Sequence, residues 1–157
     1  MKINYKKLIV SILIPLLVGG LSALFTRNSM KMFETISKPP LSPPGWLFPV
    51  VWTILYVLMG IASYLVKTDK GSKTATDSAL ALYAIQLFFN FFWSIIFFNL
   101  EAYLFAFIWL IILWLLIIWT TVSFYKINKT AGFLMIPYIL WVTFAAYLNL
   151  GIYFLNK

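Results

Sequence analysis

The run ALALYAIQLFFNFFWSIIFFNLEAYLFAFIWLIILWLLIIWTTVSFY, from Ala79 to Tyr125, carries a single charged residue, Glu101. As one helix it would be about 70 Å long, more than twice a bilayer core of about 30 Å. The chain must therefore reverse within it. Asn99-Leu100-Glu101 is the only polar interruption available, so two spans, Ala79 to Leu100 and Ala102 to Tyr125, are expected to pack as antiparallel neighbours across a very tight turn.

Outward from this pair, the same length criterion selects Leu8 to Thr26, Trp46 to Val66 and Ala131 to Leu155. The expected fold is all-α, a single integral membrane bundle of five transmembrane helices occupying residues 1–157. Lys2, Lys6 and Lys7 before an apolar run resemble a secretory signal, with Leu21-Ser22-Ala23 as a poor cleavage site. The run is nonetheless long enough to span and Arg27 closes it, so it is read as the first helix.

Composition agrees. The chain has 157 residues, 63% of them hydrophobic and 20% aromatic, only 10% charged, and a mean hydropathy of +0.95. That is far too apolar for a water-soluble domain of this size. The net charge of +8 is dispersed between apolar runs rather than gathered in a block, which argues against nucleic acid and for orientation in anionic lipid. With no Cys and no His, the sequence lacks disulfides, thiolate nucleophiles, the commonest metal ligand and the usual general base. No metal site is expected, and most enzyme chemistries are excluded.

Basic residues in the connections set the orientation. Lys2, Lys6, Lys7, Lys67, Lys70, Lys73, Lys126 and Lys129 fall on one side; Arg27, Lys31, Lys38 and Lys157 fall on the other. The amino terminus is thus expected inside and the carboxyl terminus outside. The longest connection, Arg27 to Gly45, ends in KPPLSPPG, whose prolines forbid a regular helix and favour stiff, extended chain. Its length favours a lid over one mouth of the bundle, against the plainer reading of a connector with a helix start signal.

The faces of the spans suggest a ligand. Ser11, Pro15, Gly19 and Ala23 recur every four residues and form a small-residue face suited to close helix packing. Phe48, Trp52, Tyr56 and Met59 make an aromatic stripe that descends from one surface, too deep at Tyr56 for an interfacial belt. Gln86, Asn90, Trp93 and Phe97 share a face of the third span. Two mid-membrane amides either bond across helices as structural glue or tip a largely apolar cavity. On the fifth span Pro137, Trp141, Ala145, Leu148 and Asn149 lie on one side, with small Ala145 leaving room beside the Trp141 indole. Trp109, Trp114 and Trp119, five residues apart, do not share a face and are expected to face lipid or lie at the interface. Trp52, Tyr56, Asn90, Trp93 and Trp141 together suggest a pocket for a flat aromatic molecule. Arg27, Lys31 and Lys38 in the lid either pair with its carboxylates or are solvated loop charges.

KPPLSPPGWLFPVVWTILYVLMG (Lys38 to Gly60), QLFFNFFWSIIFF (Gln86 to Phe98) and PYILWVTFAAYLN (Pro137 to Asn149) resemble the TspO/MBR family. These are the tryptophan-rich sensory proteins related to the mitochondrial translocator protein, or peripheral benzodiazepine receptor. The resemblance covers the whole chain in the same helix order. It implies a bundle in a bacterial cell membrane, often homodimeric, that needs no cofactor and takes protoporphyrin IX as ligand or substrate, alongside benzodiazepine-type and isoquinoline-carboxamide drugs. By motif position, Trp52, Asn90, Trp93, Trp141, Ala145 and Leu148 would line the site. Light-dependent porphyrin breakdown in some relatives would make Trp52 and Trp141 electron or hydrogen donors to the excited macrocycle. The Leu150, Tyr153, Lys157 spacing fits a loose sterol pattern, from which no native sterol ligand is expected.

Receptor or sensor is the leading reading. Passive transport of porphyrin or other amphiphiles is a second, and a regulatory or structural membrane subunit a third. Ion-coupled transport is disfavoured because no span carries an ionisable residue near its middle.

Overall fold

The computed structural model describes residues 2–157. Five helices in it are long and apolar enough to cross a membrane. They are built from α1 (Tyr5–Thr26), α3 (Leu47–Lys67), α4 (Lys73–Ser94) with a π-helical turn (Ile95–Asn99), α5 (Tyr103–Ile127), and α6 (Lys129–Leu134) continuing into α7 (Ile136–Asn156). A one-turn helix, α2 (Met30–Phe33), lies in the first loop.

Local chemistry sets the starts. The side chains of Asn4, Ser72 and Asn128 each accept a hydrogen bond from the backbone N–H three residues on, at 3.1, 3.2 and 3.1 Å. Each satisfies one of the donors a helix leaves open at its amino end. The Ser72 cap lets α4 begin at Lys73, six residues before the expected Ala79, so its first turns lie outside the apolar stretch. An exposed Lys73–Asp77 pair at 2.9 Å braces that extension.

The reversal at Asn99-Leu100-Glu101 forms as expected. α4 widens into the π-helical turn, where Leu100 N–H reaches the Ile95 carbonyl at 3.1 Å. Glu101 then takes φ 52°, a left-handed conformation that swings the chain directly into α5. The fifth span, expected as one helix from Ala131, instead breaks at Met135. Pro137 near the start of α7 has no N–H to continue the ladder from α6.

Close approach of backbones fixes α1 on α3. A Cβ on Gly60 would collide with Ile12 Cα and lie 2.8 Å from the Ser11 carbonyl. Ser11 and Pro15, from the small-residue face, are buried there. Met59, Leu110, Leu113, Ile117, Phe124, Val142 and Ile152 form the centre of the bundle, each at most 1% exposed. Leu13, Leu17, Phe105, Leu115, Trp119 and Leu140 project outward, an apolar jacket that only lipid can cover favourably.

Of the three tryptophans on α5, Trp119 alone projects fully outward as expected. Trp109 stacks on Phe89 (4.4 Å between centroids) and donates to the Phe89 carbonyl at 2.7 Å. Trp114 donates to Thr143 Oγ1 at 2.9 Å. Both are half-buried because an indole N–H in hydrocarbon needs an acceptor, and neighbouring helices supply it.

Candidate functional site

A cavity of about 550 Å³ opens inside the half of the bundle nearest the first loop. The carboxyl-terminal half of α1 and the amino-terminal half of α3 line it together with α4 and α7. Its floor is where Gly19 abuts the Tyr56 ring, an approach a Cβ at Gly19 would not permit.

α3 contributes Phe48, Trp52 and Tyr56 to the wall, so three of the four stripe residues face one hollow; the fourth, Met59, is buried in the core and does not line it. Trp52 stacks on Tyr56 with centroids 5.6 Å apart and 26° between planes. From α4 comes Trp93, and from α7 come Trp141, Ala145 and Leu148. Trp93 is held from behind: its Nε1–H donates to Asn149 Oδ1 at 3.0 Å, and Asn149 Nδ2 donates to the Tyr103 carbonyl at 2.8 Å. Trp141 meets Phe48 edge-on at 5.8 Å. Its Nε1 is buried and has no partner within the protein.

Gln86 and Asn90 do not line the cavity, contrary to the expectation that they tip it. Both are buried behind Tyr56, in a directed chain. Tyr56 O–H donates to Asn90 Oδ1 at 2.8 Å, Asn90 Nδ2 to Tyr138 Oη at 2.7 Å, and Tyr138 O–H to Gln86 Oε1 at 2.7 Å. In hydrocarbon, these amides and phenols find in one another acceptors that an apolar ligand would not offer, although Gln86 Nε2 is left without a partner. Tyr138 was missed by the sequence reading; the clue was a phenol three residues before Trp141, facing two amides in need of partners.

The lid residues separate likewise. Arg27 lines the cavity at its outer end and is exposed, whereas Lys31 and Lys38 do not line it. Lys38 Nζ donates to the carbonyls of Phe33 (2.7 Å) and Ile36 (3.3 Å) and sits over the Phe33 ring. It caps the carboxyl end of α2 instead of awaiting a carboxylate. Phe33 is the roof, buried against Phe48 and Phe98 at 5.5 and 5.9 Å. The proline segment is fastened to α7: Pro39 packs on Gly151, Tyr147 O–H donates to the Pro40 carbonyl at 2.7 Å, and Asn156 pairs with both backbone groups of Ser37. The first loop is therefore a docked cover.

Apolar membrane-length helices around an aromatic hollow, with one cation at its outer end, define a polytopic integral membrane protein. Its chain belongs to the TspO/MBR family, whose model matches residues 11–155. It is 39% identical to the tryptophan-rich protein TspO of Archaeoglobus fulgidus, covering 98% of this chain and 99% of the relative. Identity to the tryptophan-rich protein TspO of Chlorobaculum tepidum is 38%, over 90% of each chain. The translocator protein of Bos taurus is 34% identical over 87% of this chain and 82% of its own.

Proposed function

We propose that the protein is a membrane receptor that captures a porphyrin, with protoporphyrin IX as ligand or substrate, in the cavity beneath the first loop. Benzodiazepine-type and isoquinoline-carboxamide compounds fit the same chemistry, being flat, aromatic and tipped with an acceptor. The observation that carries the reading is a hollow of about 550 Å³ walled by Trp52, Trp93 and Trp141. That volume lies within the range of about 300 to 1,000 Å³ usual for small-molecule sites. Indole and phenol faces stack on a macrocycle.

In this reading Trp52 and Trp141 donate an electron or hydrogen atom to a photoexcited porphyrin or its dioxygen adduct, a step that calls on no metal or acid–base pair. The protein resides in a bacterial cell membrane, amino terminus inside, as a homodimer. The uneven distribution of basic residues between its two faces supports that orientation.

The test is titration of purified protein with protoporphyrin IX while following tryptophan fluorescence, then illumination under oxygen beside Trp141→Phe. Saturable quenching and protein-dependent loss of porphyrin absorbance, slower in the variant, are expected. Unquenched fluorescence removes the binding reading; equal bleaching with and without protein removes the photochemical one.

A further inference from the structure

We propose that the cavity exchanges its ligand sideways with the bilayer, through a portal between α1 and α3, while the lid stays shut. Resting on the porphyrin reading above, this assigns the route and the form in which the ligand is recognised: dissolved in the leaflet, not in water.

A residue that both lines a cavity and is exposed on the outside sits at its opening. Five lining residues meet that condition: Gly20, Ala23 and Arg27 at the end of α1, and Pro49 and Thr53 at the start of α3. No lining residue from α2, α4, the π-helical turn or α7 is exposed to that degree. The hollow is therefore covered on the lid side and along α4 and α7, and open between α1 and α3.

The edges of the opening suit an apolar passage. Gly20 has nothing within 4 Å of where a Cβ would stand, and Ala23 projects only a methyl. Thr53 donates its hydroxyl to the Pro49 carbonyl at 2.7 Å, so it shows its methyl outward with no unmet polar group. Below, the gap ends where Gly19 meets Tyr56 and Gly60 meets Ser11 and Ile12. Thr53 lies two turns inside Trp46, roughly 10 Å deep, within the acyl layer.

A porphyrin dicarboxylate in a membrane places its ring at this depth and its carboxylates at the headgroups. Arg27, at the outer end of the portal, stands where those carboxylates arrive. The lid, meanwhile, has no comparable gap: Ser29 donates to Asn99 Oδ1 at 2.7 Å and Asn99 Nδ2 to the Phe25 carbonyl at 3.0 Å, fastening its near end as α7 fastens the far one.

The experiment uses full-length protein in vesicles and protoporphyrin IX delivered from the same bilayer, with tryptophan quenching followed by stopped flow. Gly20→Leu and Ala23→Leu, each checked for unchanged helicity and unfolding midpoint, should slow association from the bilayer by about tenfold. The sequence has no cysteine, so Ser37→Cys with Asn156→Cys, joined by a short bifunctional thiol reagent, pins the lid alone. Rates in that protein should match wild type. Rates untouched in both portal variants but slowed by the pinned lid overturn the portal and leave porphyrin binding intact. A wild type that shows no quenching removes porphyrin binding and the portal's cargo together.

Discussion

Tyr56 turns two faces to two tasks: its ring forms the cavity floor, while its hydroxyl donates to Asn90 Oδ1 at 2.8 Å inside the bundle. The floor is thus anchored by a group the ligand never touches. Asn90→Leu leaves the Tyr56 hydroxyl without an acceptor and Tyr138 without the Asn90 donor, in a region with no water to substitute. Loss of about 2 kcal/mol of stability is expected, read as a lowered unfolding midpoint in detergent. Porphyrin affinity should fall less than in Trp141→Ala, which deletes a wall. A midpoint equal to wild type would show that the chain is not structural.

Two glycines on the α1–α3 seam should respond differently to the same added methyl. At Gly60 it meets backbone, Ile12 Cα and the Ser11 carbonyl, so the helices themselves must separate. At Gly19 its nearest neighbours are atoms of the Tyr56 ring, side chain rather than backbone, so the ring must shift on its Asn90 anchor while the helices can stay in place. Gly60→Ala should cost about 1 to 3 kcal/mol in unfolding measurements. Gly19→Ala should cost less and show itself mainly as altered ligand affinity, through a displaced floor. Equal losses of stability with unchanged binding would contradict this division.

These contrasts also mark how far the sequence could be read. Span number, the tight turn at Glu101 and the convergence of Trp52, Trp93 and Trp141 followed from length and periodicity, because a bilayer fixes helix length and a helix fixes which residues share a face. Gln86 and Asn90 went astray because periodicity gives a face but not its depth behind the neighbouring helix. Choosing between cavity and core needed the position of Tyr138, a tertiary fact. Lys38 likewise read as a free cation, since nothing local announces that its ammonium folds back onto the carbonyls of Phe33 and Ile36. The break at Met135 was half legible: Pro137 signals a disruption, but the helix on either side decides where it falls.

The cover should be released by cutting its ties to α7. Asn156 contributes two hydrogen bonds to Ser37, and Tyr147 one to the Pro40 carbonyl. Asn156→Ala and Tyr147→Phe each remove a local restraint at an exposed site, so global unfolding should barely move. Opening of the 37–41 segment should rise about fivefold per lost bond, seen as faster amide exchange or proteolysis there. Exchange unchanged in the double variant would mean that Pro39 packing on Gly151 holds the segment by itself.

Arg27 and Lys38 make the sharpest pair, since both are lid cations by sequence and only one borders the cavity. An anionic porphyrin should lose affinity in Arg27→Gln by about three- to tenfold, the scale of a partly exposed ion pair, and the loss should shrink as salt is raised. Its dimethyl ester, with no carboxylate, should bind both proteins alike. Lys38→Met should leave dicarboxylate binding unchanged while loosening α2, because what it removes is a cap on the Phe33 and Ile36 carbonyls. Equal affinity losses in both variants would mean that a diffuse positive potential over the lid attracts the ligand, rather than one guanidinium at the mouth of the site.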